Sequence, residues 1–199
     1  MTDVDRWRIP MLQGRHVTLL PLQEHHAAAL ATAAADGALW TLKFTSVPAP
    51  GEEGDYVRAA LASRDRDESM PFVVLDAAGE VVGSTRYYDI DRSVPNLHIG
   101  YTWYASRVQR TALNTEAKRL LLAHAFDTLE CESVSLETSH LNARSQAAIE
   151  RLGARRDGIL RAHMRHKDGS LRDTYRYSIV RDEWPVVRAG LDERLEVAA

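Results

Sequence analysis

Leu97-His98-Ile99-Gly100-Tyr101-Thr102-Trp103-Tyr104-Ala105-Ser106-Arg107-Val108-Gln109-Arg110-Thr111-Ala112-Leu113-Asn114-Thr115-Glu116-Ala117-Lys118 is the stretch that decides the fold. Its first part, Leu97 to Tyr104, is rich in aromatic and β-branched residues and reads as a strand. The strand breaks into a short polar loop, and a helix-period pattern follows. A helix start fed directly from a strand is a natural anion site, because its first N–H groups have no intrahelical partner. Arg107 and Arg110 add positive charge at the same place. The expected ligand carries phosphate; the alternative is an ordinary strand-to-helix loop.

Working outward, Thr115 to about Leu129 places Ala117, Leu120, Leu121, His124 and Ala125 on one helix face. Val134 to Thr138 reads as a strand. Asn142 and Gly153 bracket a helix as N-cap and C-cap. Ile159 to His166 and Arg172 to Val180 read as strands joined at Lys167-Asp168-Gly169-Ser170, before a short helix from Trp184 to Leu195. Toward the N-terminus, Val17 to Leu20 is a strand, while Glu24 to Ala35 and Gly51 to Arg66 are helices around an apolar loop, Leu39 to Pro50. Phe72 to Leu75 and Val81 to Tyr88 flank the turn Asp76-Ala77-Ala78-Gly79, and Asp89 to Asn96 is a loop. Helices interleaved with antiparallel hairpins predict an α/β (mixed α+β) fold, a mixed sheet with helices on both faces.

The bulk properties narrow the function. A chain of 199 residues with 45% hydrophobic content suits one globular core, and no linker divides it, so residues 1–199 are expected to form one domain. The formal charge of −3 argues against general nucleic-acid binding. No apolar run reaches the ~20 residues of a membrane span. The opening Met-Thr-Asp-Val-Asp lacks signal-peptide character, so a cytoplasmic location is expected. The single cysteine, Cys131, reads as a buried small hydrophobe. The pairs His25-His26 and His163-x-x-His166 lack a carboxylate or cysteine at ligand spacing, so no metal is expected.

The loop Gln109-Arg110-Thr111-Ala112-Leu113-Asn114 resembles the acyl-CoA loop of the GNAT superfamily of N-acetyltransferases, Gln/Arg-x-x-Gly-x-Gly/Ala, with both glycine positions filled by Ala112 and Asn114. Leu136 to Ala154, containing Asn142-Ala143-Arg144-Ser145 and ending in Leu152-Gly153, is similar to the strand, Asn-x-Arg-Ser, helix and Leu-Gly ending of the branch named for acetylating ribosomal-protein N-termini. His98-Ile99-Gly100 stands where that branch has Glu-Ile-Gly. The similarity runs from about Leu12 to Trp184, a core about 12–184 followed by the short helix 184–195.

The resemblance implies a mostly antiparallel sheet that splays between the strands of His98 and Leu136, opening a slot for the pantetheine arm of acetyl-CoA. It implies an N-acetyltransferase that moves an acetyl group from acetyl-CoA to a primary amine by direct attack; the acceptor, a protein N-terminus, a small amine, an amino acid or an aminated antibiotic, stays open. The implied CoA contacts are Trp103, Tyr104, Gln109, Arg110, Thr111, Ala112, Leu113, Asn114, Thr115, Asn142 and Ser145. His98 takes the base position; an unperturbed histidine, with a pKa of about 6.5, is largely neutral at pH 7 and can accept a proton. Glu137 is the second choice. Ile149 fills the place of the tyrosine that many members use to protonate the thiolate, which leaves Ser145 as the local candidate, with solvent as the alternative. Asp89, Asp91, Glu137 and the Tyr87–Tyr88 pair could form an acidic, aromatic acceptor pocket under a lid of Trp40 and Phe44; the alternative, favoured for any one of them, is aromatics in the core and acids on a solvated rim. The competing reading is a CoA-binding sensor or scaffold without turnover. The apolar positions of the terminal strands and the Trp184 helix suit a homodimer surface or core equally.

Overall fold

Residues 6–197 are described in the computed structural model; the expectation of no leader, which rests on residues 1–5, falls outside them. The chain builds an eight-stranded sheet in the order β1-β2-β3-β4-β5-β6-β8-β7. The strands are β1 (Leu12–Gln13), β2 (Val17–Pro21), β3 (Ser69–Asp76), β4 (Val81–Asp91), β5 (Asn96–Tyr104), β6 (Ser133–Ser139), β7 (Arg155–Arg165) and β8 (Leu171–Val180). The helices are α1 (Ala27–Ala35), α2 (Glu53–Asp65), α3 (Ala112–Ala123), α4 (Ala143–Leu152) and α5 (Trp184–Val197). The expected elements all form. The short edge strand β1 was not anticipated, and the loop expected over Asp89 to Asn96 shrinks to residues 92–95 because β4 and β5 extend into it.

Every neighbouring pair of strands is antiparallel except β5 and β6. These two run parallel and pair only from Asn96↔Ser133 to Ile99↔Leu136. Beyond that point β5 stays with β4 and β6 stays with β8, so the sheet parts as expected. The β4–β5 register also slips by one residue between Ser84↔Trp103 and Arg86↔Gly100, a bulge at Tyr101, whose φ is 51°.

Alternation along β4 assigns the faces. Arg86 lies over the ring of Tyr56 from α2, whereas the hydroxyl of Tyr87 donates to the Leu121 carbonyl of α3 at 2.7 Å. Helices α2 and α3 therefore cover opposite faces. Tyr87 is core, with no exposure, and cannot belong to an acceptor pocket. Trp184 is buried too, stacked on Phe126 with its indole N–H on Asp127 at 2.8 Å, which settles its position in favour of core. The start of α3 is stapled to the β1–β2 turn by Glu116, whose carboxylate accepts from the backbone N–H of Arg15 (2.9 Å) and His16 (2.5 Å).

Candidate active site

A cleft of about 940 Å³ passes through the gap between β5 and β6. At one end is the start of α3. The helix begins at Ala112 rather than Thr115, with Thr111 as its cap: its hydroxyl accepts from Leu113 N–H at 3.3 Å. The loop is thus shorter than expected, and the left-handed backbone falls on Arg110 (φ 64°), not on positions 112 or 114. Ala112 and Asn114 are helical, which is why filling the glycine positions costs the backbone nothing here.

Of the expected CoA contacts, Trp103, Tyr104, Gln109, Arg110, Thr111, Asn114, Thr115, Asn142 and Ser145 line the cleft. Ala112 and Leu113 do not; Leu113 is packed into the core because the first helical turn points it inward. Arg107 also leaves the site: it faces Asp76 at 3.6 Å, and its N–H donates to Asp36 at 3.0 Å. Its charge is replaced by one the sequence reading missed. Arg144 lines the cleft and donates to the Gln109 side chain at 2.8 Å, while Gln109 donates back to the Tyr104 carbonyl at 2.8 Å. This chain of bonds locks the loop before α3 to the start of α4. There Asn142 caps α4 by accepting from Ser145 N–H at 3.1 Å.

Among the described residues, the cleft wall carries polar atoms without protein partners. Tyr104 Oη and Arg172 Nε are buried and unpaired, and burial pushes the Tyr104 hydroxyl upward in pKa. Such atoms need a hydrogen-bonding occupant. Lys118 was also missed: it is buried on the α3 face, lines the cleft and donates to Thr102 Oγ1 at 2.9 Å, and desolvation lowers its pKa to about 7. A lysine two turns into an apolar helix face reads as a boundary residue in sequence, and only the parted sheet exposes it to a ligand.

On the α2 face, Tyr88 and Asp89 line the cleft beside Tyr101. Glu137 lines it too, its Oε1 held by Arg176 Nε at 2.7 Å and Nη2 at 2.6 Å. His98 is 8% exposed and sits behind Tyr88, ring centroids 5.0 Å apart, rather than on the wall. Its Nδ1 has no hydrogen-bond partner among the described residues and lies 3.9 Å from Asp89 Oδ2. Burial lowers the His98 pKa, with Glu137 and Asp89 opposing, so the ring is neutral at pH 7. Asp91 is spent on the turn after β4, accepting from Ser93 N–H at 2.8 Å, and does not reach the cleft. Phe44 lines the cleft as the lid reading expected, whereas Trp40 packs against the core instead. Cys131 is fully buried and its thiol is pushed up to about 12, which removes it as a nucleophile.

Residues 16–155 match the family described as Acetyltransferase (GNAT) domain. YdaF of Bacillus subtilis (strain 168), provisionally named a ribosomal N-acetyltransferase, is 29% identical over 106 residues. That match covers 53% of this chain and 57% of YdaF, so the chain spans little more than half of that relative. A GCN5-related N-acetyltransferase from Brucella melitensis is 30% identical with a TM-score of 0.84, over 94% of this chain and 85% of that one. Mycobacterium smegmatis RimJ, solved with CoA-disulfide, shares the fold at 21% identity and a TM-score of 0.78, over 94% and 96% of the two chains. A sheet parted beside a capped helix start, together with a domain match across most of the chain, makes this chain a member of the GNAT acetyltransferase family.

Proposed function

We propose that residues 1–199 form a single acetyl-CoA-dependent N-acyltransferase domain acting on a primary amine in the cytoplasm, with no nucleic-acid or membrane partner. The observation that carries this reading is the cleft through the parted β5 and β6, with the α3 start at one end and an acidic, aromatic wall at the other. The first-turn N–H groups of α3, Arg110 and Arg144 would hold the phosphates. Asn142 and the unpaired Tyr104 hydroxyl would meet the pantetheine arm. Bound acetyl-CoA supplies a thioester carbonyl, to which the amine nitrogen bonds as the carbon–sulfur bond breaks. Backbone N–H of β5 near the bulge would polarise that carbonyl. His98 would take the amine's proton through one water that fills its unpaired Nδ1, and Ser145 would return a proton to the sulfur.

Incubation with acetyl-CoA and a panel of amines, following free thiol, tests the reading. Thiol release that depends on the amine supports it. The position of His98 behind Tyr88 favours one competitor, a CoA-binding protein without turnover. Calorimetric CoA binding with no thiol release on any amine would establish that competitor. Ser145→Ala is expected to lower kcat about 10-fold, the scale of one hydrogen bond made in the transition state, while CoA affinity moves less than ~3-fold. Equal losses in both would make Ser145 a binding residue only.

A further inference from the structure

Beside the cleft on the α2 face lies a side pocket of about 390 Å³. It shares Tyr88, Asp89 and Tyr101 with the cleft, so the two cavities adjoin where the sheet parts. Two side chains lining it are buried and, among the described residues, unsatisfied: Arg86, 7% exposed with an unpartnered Nε, and Ser69, 3% exposed with an unpartnered Oγ. The Arg86 guanidinium lies 4.0 Å from the Tyr101 ring centroid and 5.3 Å from that of Tyr56. Aromatic faces orient a guanidinium and offset part of its desolvation, but they do not neutralise it. The bulge at Tyr101 makes this arrangement: without the extra residue, alternation would send that ring to the α3 face.

The acids on the rim do not answer the charge. Glu68 is paired with Arg66 at 2.6 Å, and Asp67 faces Arg92 at 3.6 Å. Asp89 is left on the side nearest the cleft, largely exposed and 3.9 Å from the His98 Nδ1. A buried cation without a counter-ion is costly unless an anion joins it. The pocket therefore presents a positive, hydrogen-bonding end at Arg86 and Ser69, and a negative end at Asp89 toward the cleft.

We propose that this pocket binds the carboxylate of a small amino acid whose amine is the acetyl acceptor, with the carboxylate on Arg86 and Ser69 and the amine beside Asp89 in the cleft. The proposal rests on the acetyl-transfer reading and names its substrate class. Both charges of a zwitterion are matched in polarity by the two ends of the pocket, and a planar carboxylate suits the fork of a guanidinium.

The test compares the proteinogenic L-amino acids with their carboxamides as acceptors for acetyl-CoA, reading kcat/KM by thiol release. The free acid of at least one pair is expected to be preferred by roughly 10²-fold, the scale for a charged group losing its hydrogen-bond partner. In Arg86→Met the acid-to-amide ratio is expected to fall to ~1, with Arg86→Lys between. Wild type using acids and amides equally, or Arg86→Met keeping the preference, overturns the proposal while leaving acetyl transfer standing. If no amine is acetylated, acetyl transfer fails instead, and calorimetry with the same pairs still reads the pocket: binding of an acid but not its amide supports the carboxylate site, and equal or no binding overturns it. Should Arg86→Met lack a thermal transition, Ser69→Ala decides, with a smaller fall in the acid-to-amide ratio expected and an unchanged ratio counting against the site.

Discussion

Replacing His98 with alanine is expected to lower kcat for acetyl transfer by roughly 10²-fold while acetyl-CoA affinity stays within ~2-fold, the pattern of a lost general base. His98 is buried beside Tyr88, its Nδ1 is unpaired, and it stands on the acceptor face, away from the α3 start that would hold the donor. The pH profile gives a second readout. Burial lowers the histidine's pKa, so its active neutral form persists below the ordinary 6.5, and the acidic limb of kcat/KM should fall below that value. In the alanine variant this limb should vanish. The assay must allow for the fold's own acid response. His124 is buried with a pKa near 4, depressed below its unfolded value, so the unfolded chain binds the extra proton first. Stability is therefore full above about 6.5 and is lost as pH falls toward 4. Full activity in His98→Ala would transfer the proton to Glu137 or to bulk water.

Gly83→Ala is expected to be the most damaging small substitution in the sheet. A Cβ at this position would lie 2.1 Å from the carbonyl oxygen of Trp103 and 3.0 Å from Tyr104 Cα, both backbone atoms of the adjacent strand. No rotamer relieves that contact, so β5 must move away from β4. Overpacking of this kind costs about 3 kcal/mol, which at this chain length lowers Tm by ~6–12 °C. Since β5 is also the wall of the cleft, acetyl-CoA affinity should fall with it. Gly158→Ala is the control: nothing lies within 4 Å of its added Cβ and its φ is unrestricted, so Tm should change by less than ~2 °C. A Gly83→Ala melting curve overlying the control would contradict the close approach of the two strands.

The order of elements was legible from periodicity and punctuation, because the signals are local: Asn142 and Gly153 do cap α4, and Asp76 to Gly79 do turn a hairpin. The slot was legible only through the family resemblance. What stayed hidden depends on which residues meet across strands. The bulge at Tyr101 leaves no sequence mark, since a tyrosine with positive φ is not foreseeable from its neighbours. The stacking of Arg86 on Tyr101 was invisible for the same reason. Arg107 was misplaced because its partner, Asp76, lies on a distant strand. The glycine positions misled in the opposite direction: the motif is read in fixed spacing, whereas the chain takes its left-handed step earlier, at Arg110.

The parallel join between β5 and β6 is four residue pairs long. Among the described residues it joins an antiparallel meander of five strands to an antiparallel group of three. Mechanically, the sheet is two plates riveted at one end and open at the other. Among the described residues, backbone groups of β5 beyond Ile99 have no strand partner on the β6 side, and polar groups in such a position require one. An occupant bearing amides can bridge the open end, so filling the cleft also stiffens the scaffold. Its binding energy is then shared between holding the reactant and clamping the two plates at the distance the reaction requires.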